Sequence, residues 1–170
     1  MHTASTSGRI QARSPFFTAP GQRLPAERIG IRSPEDIARA RQRGAELSRE
    51  LTFSSTTATL VATVISELAR HILQSAKSGR ITIEAIYDKS KTGWYGETRV
   101  GLRITAENKG TGIVNPDSRL GGPQLPDGSV QGLLRVRMVA DEFSTESHLA
   151  TGNRVNVVLW ASRLDWTQIA

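Results

Sequence analysis

The sequence predicts an α+β domain, one sheet with its helices packed on a single face, and three patterns lead there. Two long stretches repeat apolar residues at helical spacing, four short stretches alternate apolar and polar residues, and a shorter helical stretch divides those strands into two pairs.

The first helix is predicted over 34–51. Ser33 suits the N-cap, Pro34 the first helical position, and Glu35 and Asp36 complement the positive end of the helix dipole. Ile37, Ala40, Gly44, Leu47 and Leu51 form its one apolar stripe. The second helix spans 56–77 and has a broad core face of Ala58, Val61, Ala62, Ile65, Leu68, Ala69, Ile72 and Ala76. A separate stripe of Leu60, Val64, Glu67, His71 and Gln74 adjoins that face and suits a pocket wall, because residues four apart stand one above the other. Ser78 and Gly79 end the helix. RITIEAI (80–86) and TRVGLRITAE (98–107) alternate as strands around DKSKTGWYGE, a hairpin loop with Trp94 and Tyr95 near its tip. A third helix over 132–141 precedes strands at 142–147 and 154–160, which pair through the turn at Thr151-Gly152.

The 170 residues suffice for one domain with a sizeable core. Without cysteine, the chain can hold neither a disulfide nor a thiolate metal site nor a cysteine nucleophile. No apolar run is long enough for a membrane span or a signal-peptide core, so a cytoplasmic protein with no membrane association is expected. The formal charge of +6 suggests nucleic acid until it is mapped along the chain. Residues 1–32 carry five arginines against Glu27 alone, a net of +4, while 33–170 hold 17 basic and 15 acidic side chains, a net of +2. The basicity therefore belongs mostly to a Ser-, Gly-, Pro- and Arg-rich tail, residues 1–30, expected to be disordered. Residues 31–162 are expected to form the domain and 163–170 a C-terminal tail.

ENKGTGIVNPDSRLGGPQLPDGSVQG carries the chemical signal. Gly110 and Gly112 leave a strand end, and a Pro- and Gly-rich segment, 113–131, follows with the length and composition of a lid. A helix wall, a strand ending in Gly-x-Gly, a lid and a second helix start are what a nucleotide pocket requires: glycines admit close backbone approach and helix N-termini receive phosphates.

In this order the segments resemble the GHKL ATPase superfamily, in its bacterial branch of switch-protein serine kinases and anti-sigma factors. ISELARHI is similar to that branch's N box, AENKGTGI to its Asp-x-Gly-x-Gly motif, GSVQGLLRVRMVADEF to its second glycine motif and TGNRVNVVLW to its closing hairpin. The resemblance implies a two-layer α/β sandwich of Bergerat type with a mixed, mainly antiparallel sheet. It implies ATP or ADP and Mg²⁺ as cofactors, with Glu67 as general base activating the attacking hydroxyl or water. His71 stands where the family has the Asn that ligates Mg²⁺, and Asn108 where it has the Asp that binds the adenine amine. Gly110, Gly112, Gly128 and Gly132 keep the glycine motifs, whereas Val130 and Arg135 fall where glycine is common; Arg135 either crowds the phosphate path or contacts phosphate directly.

Three functions follow. The resemblance implies an ATP-dependent serine/threonine kinase of a partner-switching stress pathway, acting with an antagonist protein, a sigma factor or a phosphatase and able to form a homodimer. A non-catalytic relative that regulates a partner by binding is the alternative. Nucleic-acid binding through the arginine tail, marked by a steep salt dependence, ranks last.

Overall fold

The computed structural model describes residues 25–92, 98–110, 129–148 and 152–161. Eight elements follow in the order β1 (Glu27–Ile31), α1 (Pro34–Glu50), α2 (Ser55–Ala76), β2 (Gly79–Thr92), β3 (Thr98–Asn108), α3 (Ser129–Val139), β4 (Glu142–His148) and β5 (Gly152–Trp160). The strands make one sheet in the order β1-β2-β3-β5-β4, and all four pairings are antiparallel. The α+β architecture is the one the sequence predicts.

Strand alternation fixes which face is covered. Ile29 lies opposite Ile81, Ile83 opposite Ile104, Leu102 opposite Leu159, and Ala106 opposite Val155. Side chains of one parity thus meet across β1, β2, β3 and β5 and are buried, with Phe143 of the edge strand β4 half-buried beside them, whereas Glu84, Arg103, Glu107 and Arg154 share the other face. That outer face is bound by charge: Arg103 pairs with Glu84 at 3.5 Å, and Arg154 reaches Glu107 at 2.8 Å and Glu146 at 3.5 Å. At its end the Arg99 guanidinium lies 4.9 Å from the centroid of the Trp160 ring.

Helix α2 covers the buried face. Val61, Val64, Ile65, Leu68, Ala69 and Ile72 have no exposed surface, so the helix is apolar over more than the core stripe alone. α1 lies on α2 through Ala40, Gly44 and Leu47, and α3 adds Leu133 and Val136 to the same core.

Several boundaries differ from expectation for local reasons. Residues Glu27–Gly30 belong to a strand, not to the tail, because their alternation is supplied with partners by β2. β2 runs on to Thr92, into the segment expected to be a loop. α2 ends with Lys77 in the left-handed conformation (φ 59°), and Gly79 already pairs in the sheet. α3 starts at Ser129, so Ser129–Gln131 are helical, not lid. Trp94, Tyr95 and the rest of the expected lid, 113–128, lie outside the described residues.

At the start of α1, Asp36 accepts the Arg32 N–H at 2.8 Å and the Ser33 N–H at 3.1 Å. The bond from Arg32 is the main reason its carboxyl lies below the ordinary 3.8. A lowered folded-state value means that the ionised form stabilises the fold above the ordinary aspartate range, and that this contribution is lost as pH falls through the lowered value. Acidification below about pH 4 is therefore expected to lower the protection factors of the Arg32 and Ser33 amides, corrected for intrinsic exchange rates, ahead of the strands, and Asp36→Asn is expected to remove that pH dependence. In the core, Leu68→Ala should lower the unfolding free energy by about 2–4 kcal/mol in denaturant titration. Met138→Ala, at a side chain 86% exposed, should change it by less than about 0.5 kcal/mol.

Candidate functional site

The carboxylate of Glu67 sits where α2 meets α3. Its side chain is 15% exposed and is held from two sides. Arg70, three residues on along α2, places Nη1 3.0 Å from Oε1, and Arg135 from α3 places Nη2 3.7 Å from Oε2. α3 comes this close because its first turn holds Gly132. A Cβ on that residue would stand 2.8 Å from Glu67 Oε2, so any larger residue would displace the carboxylate. The positive end of the α3 dipole therefore lies on the same side as the two guanidinium groups.

One turn further along α2, His71 is buried at 6% exposure. Its carbonyl oxygen accepts the Ser75 hydroxyl at 2.6 Å, and Ser75 Oγ accepts Asn108 Nδ2 at 3.1 Å. Asn108, at the end of β3, is buried too, and its Oδ1 accepts the Gly110 N–H at 2.9 Å and Asn153 Nδ2 at 3.1 Å. The backbone donor of Gly110 fixes which end of the amide is oxygen. Asn153 in β5 completes the network, donating to the Gly110 carbonyl at 3.2 Å and accepting the Ser147 hydroxyl at 2.7 Å. β5 reaches this position through Gly152, which has φ +93° and lies against the carbonyl of Asn108 so closely that a side chain would collide with backbone.

The structure thus brings Glu67, Gly132 and Arg135 together at one end of an α2 stripe, and Asn108 and Gly110 together at the other, near Ser75. Eight residues of helix separate the two ends, about 12 Å at 1.5 Å per residue. His71 lies between them. Gly112 and Gly128 are outside the described residues. Sequence reasoning missed Arg70, Ser75, Asn153 and Ser147. Arg70 had a signal, since it stands three residues after Glu67 on a helix. Asn153 had another, a polar residue at the buried parity of a strand whose next members are Val155 and Val157. A groove of about 440 Å³ between β1 and α1 lies elsewhere, and its lining is already paired, Arg43 with Glu27 at 2.6 Å and with Glu46 at 2.7 Å.

No family model matches the chain. Serine/threonine-protein kinase RsbT of Bacillus subtilis (strain 168) is 36% identical to it over 135 residues, which cover 78% of this chain and 94% of the relative. The chain belongs to the switch-protein serine kinase branch of the GHKL superfamily. The match spans nearly all of the kinase.

The GHKL cofactors can be tested against these residues. At the phosphate end they fit: Gly132 makes a cradle that a Cβ would fill, and Arg70 and Arg135 supply two cations. The Mg²⁺ position does not fit. That ion requires oxygen ligands in near-octahedral geometry, whereas His71 offers nitrogen and both Glu67 oxygens face arginine. Among the described residues, no three His, Cys, Asp or Glu side chains are grouped to hold a metal. At the base end Asn108 carries no charge, and both lone pairs of its Oδ1 are taken.

Asn153→Ala would leave Asn108, Gly110 and Ser147 each short of a partner in a buried network. It is expected to destabilise the protein by about 2–3 kcal/mol in chemical denaturation, with loss of amide protection at Gly110.

Proposed function

We propose that this chain is a nucleotide-binding switch protein of the serine/threonine kinase type, which controls an antagonist protein, sigma factor or phosphatase in a partner-switching stress pathway. The observation that carries the reading is the convergence of Glu67, Gly132 and Arg135 in a chain that aligns with the RsbT kinase over nearly all of that relative's length. In the catalytic form of this function, Glu67 is the general base that takes the proton of the attacking serine or threonine hydroxyl. A surface whose affinity for a partner follows pocket occupancy is enough for switching.

A specific observation favours the non-catalytic form. His71 occupies the place of a metal-ligating Asn and is buried, and the Glu67 carboxylate is held by two guanidinium groups. In this form the chain binds ATP or ADP and its partner, and phosphate transfer stays at background. Among the described residues, no helix is long and apolar enough to cross a membrane. Action in the cytoplasm and homodimer formation belong to the same proposal.

Calorimetric titration with ATP, with and without Mg²⁺, tests it. The wild type is expected to bind ATP with little dependence on Mg²⁺. The double variant His71→Asn/Asn108→Asp is expected to gain about tenfold or more in Mg²⁺-dependent affinity, equivalent to about 1.4 kcal/mol. A further Glu67→Ala change should abolish any phosphate transfer gained. Both proteins folded by circular dichroism yet silent towards ATP would reject the nucleotide reading and leave a protein-binding domain.

A further inference from the structure

We infer that Glu67 is an internal competitor of an anion: its carboxylate lies in a polyphosphate site made by Arg70, Arg135 and the first turn of α3, and a bound polyphosphate displaces it. The inference rests on the nucleotide reading only for the identity of the anion.

Both arginines touch the same carboxylate, one at each oxygen. Their side chains are 53% and 63% exposed, so each can turn towards a ligand from solvent without unpacking the core. The carboxylate is the buried member of the cluster, at 15% exposure. Gly132 brings the start of α3 against Oε2, which adds the helix dipole to the two cations. A single carboxylate carries one negative charge, whereas a polyphosphate carries several, with more oxygens to meet each guanidinium fork. Exposed pairs of this kind are individually weak, so the heavier anion wins the arginines. The exchange has a consequence for the base. While Arg70 and Arg135 face Glu67, each of its oxygens lies beside a cation that competes with a hydroxyl proton for it; once they turn to phosphate, that competition is removed. The same residue thereby competes for the site and is released when phosphate takes the arginines.

The inference separates from the family role of Glu67 by one substitution made with and without Arg135. If Glu67 were only a general base beside the anion, its charge would repel the ligand, and Glu67→Gln would tighten binding whether or not Arg135 is present. As an internal competitor for that arginine, its neutral isostere must tighten anion binding only while Arg135 is there. Titration calorimetry on the full chain at low ionic strength reads this with sodium tripolyphosphate and, separately, with ATP, both without divalent cation. Glu67→Gln is expected to bind tripolyphosphate about three- to tenfold more tightly than the wild type, the size of one or two released ion pairs. Glu146→Gln is the control, because it makes the same charge change on the outer face of the sheet, and a smaller gain is expected there. Glu67→Gln/Arg135→Gln is expected to bind no more tightly than Arg135→Gln alone. Unchanged or weaker binding by folded Glu67→Gln, an equal gain in Glu146→Gln, a gain that survives removal of Arg135, or no binding to any variant would each overturn the inference. The ATP arm identifies the source: a gain shared by ATP assigns the site to a nucleotide's phosphates. A tripolyphosphate gain with ATP silent keeps the anion site and rejects the nucleotide reading, whereas ATP binding with no gain for either ligand keeps that reading and rejects the inference.

Discussion

The fold depends on one contact, α2 laid across the buried face of the sheet. Val61, Ile65, Leu68, Ala69 and Ile72 are fully buried in α2, which packs on the central strands and, through Val61 and Ile65 at Gly44, on α1. α1 and α3 both pack on α2, so the position of every other helix follows from that contact. The register of the sheet serves it as well: a shift by one residue would turn Ile81, Ile83, Leu102 and Ile104 to the charged face and present Glu84 and Arg103 to the helix.

That contact leaves one edge of α2 for chemistry. Because residues spaced by four share a stripe, Glu67, His71 and Ser75 follow one another along the helix from the α3 end to the end of β3. Their surroundings give them different tasks. Glu67 meets two cations and a glycine-bearing helix start, which makes a cationic cradle for its carboxylate. Ser75 and Asn108 meet neutral donors and acceptors among the described residues, which makes a joint between α2, β3 and β5. His71 lies between them, buried among core residues.

The neutral joint lies at Asn108, where the resemblance implies the family's adenine-binding aspartate. An aspartate there would offer a charged acceptor to a base, whereas Asn108 spends its oxygen on Gly110 and Asn153. Binding energy that a charged residue could give to a ligand is here committed to holding Gly110 and β5 to the end of β3. Membership of a kinase family and a retuned site are thus compatible, because the sheet, the α2 face and the helix start at Gly132 persist independently of which polar side chain stands at 71 or 108.

Local pattern was enough for the helices, the strand alternation and the family motifs. Helical stripes such as Ile65, Leu68 and Ile72, and alternating runs such as RITIEAI and RVNVVLW, are set by covalent periodicity, which any segment displays before it meets a partner. The motifs pointed to Glu67, Asn108, Gly110 and Gly132 for the same reason, since their spacing lies within single segments. Strand β1 and the extension of β2 to Thr92 needed the sheet, because a five-residue strand is stable only through its ladder to β2. Arg135 opposite Glu67, Asn153 opposite Asn108, and the burial of His71 also arose only on folding: each joins residues distant in sequence or selects one face of a helix among several. Periodicity tells which residues can share a face; packing decides which partner that face meets, and here it sets the carboxylate singled out by its motif between two arginines.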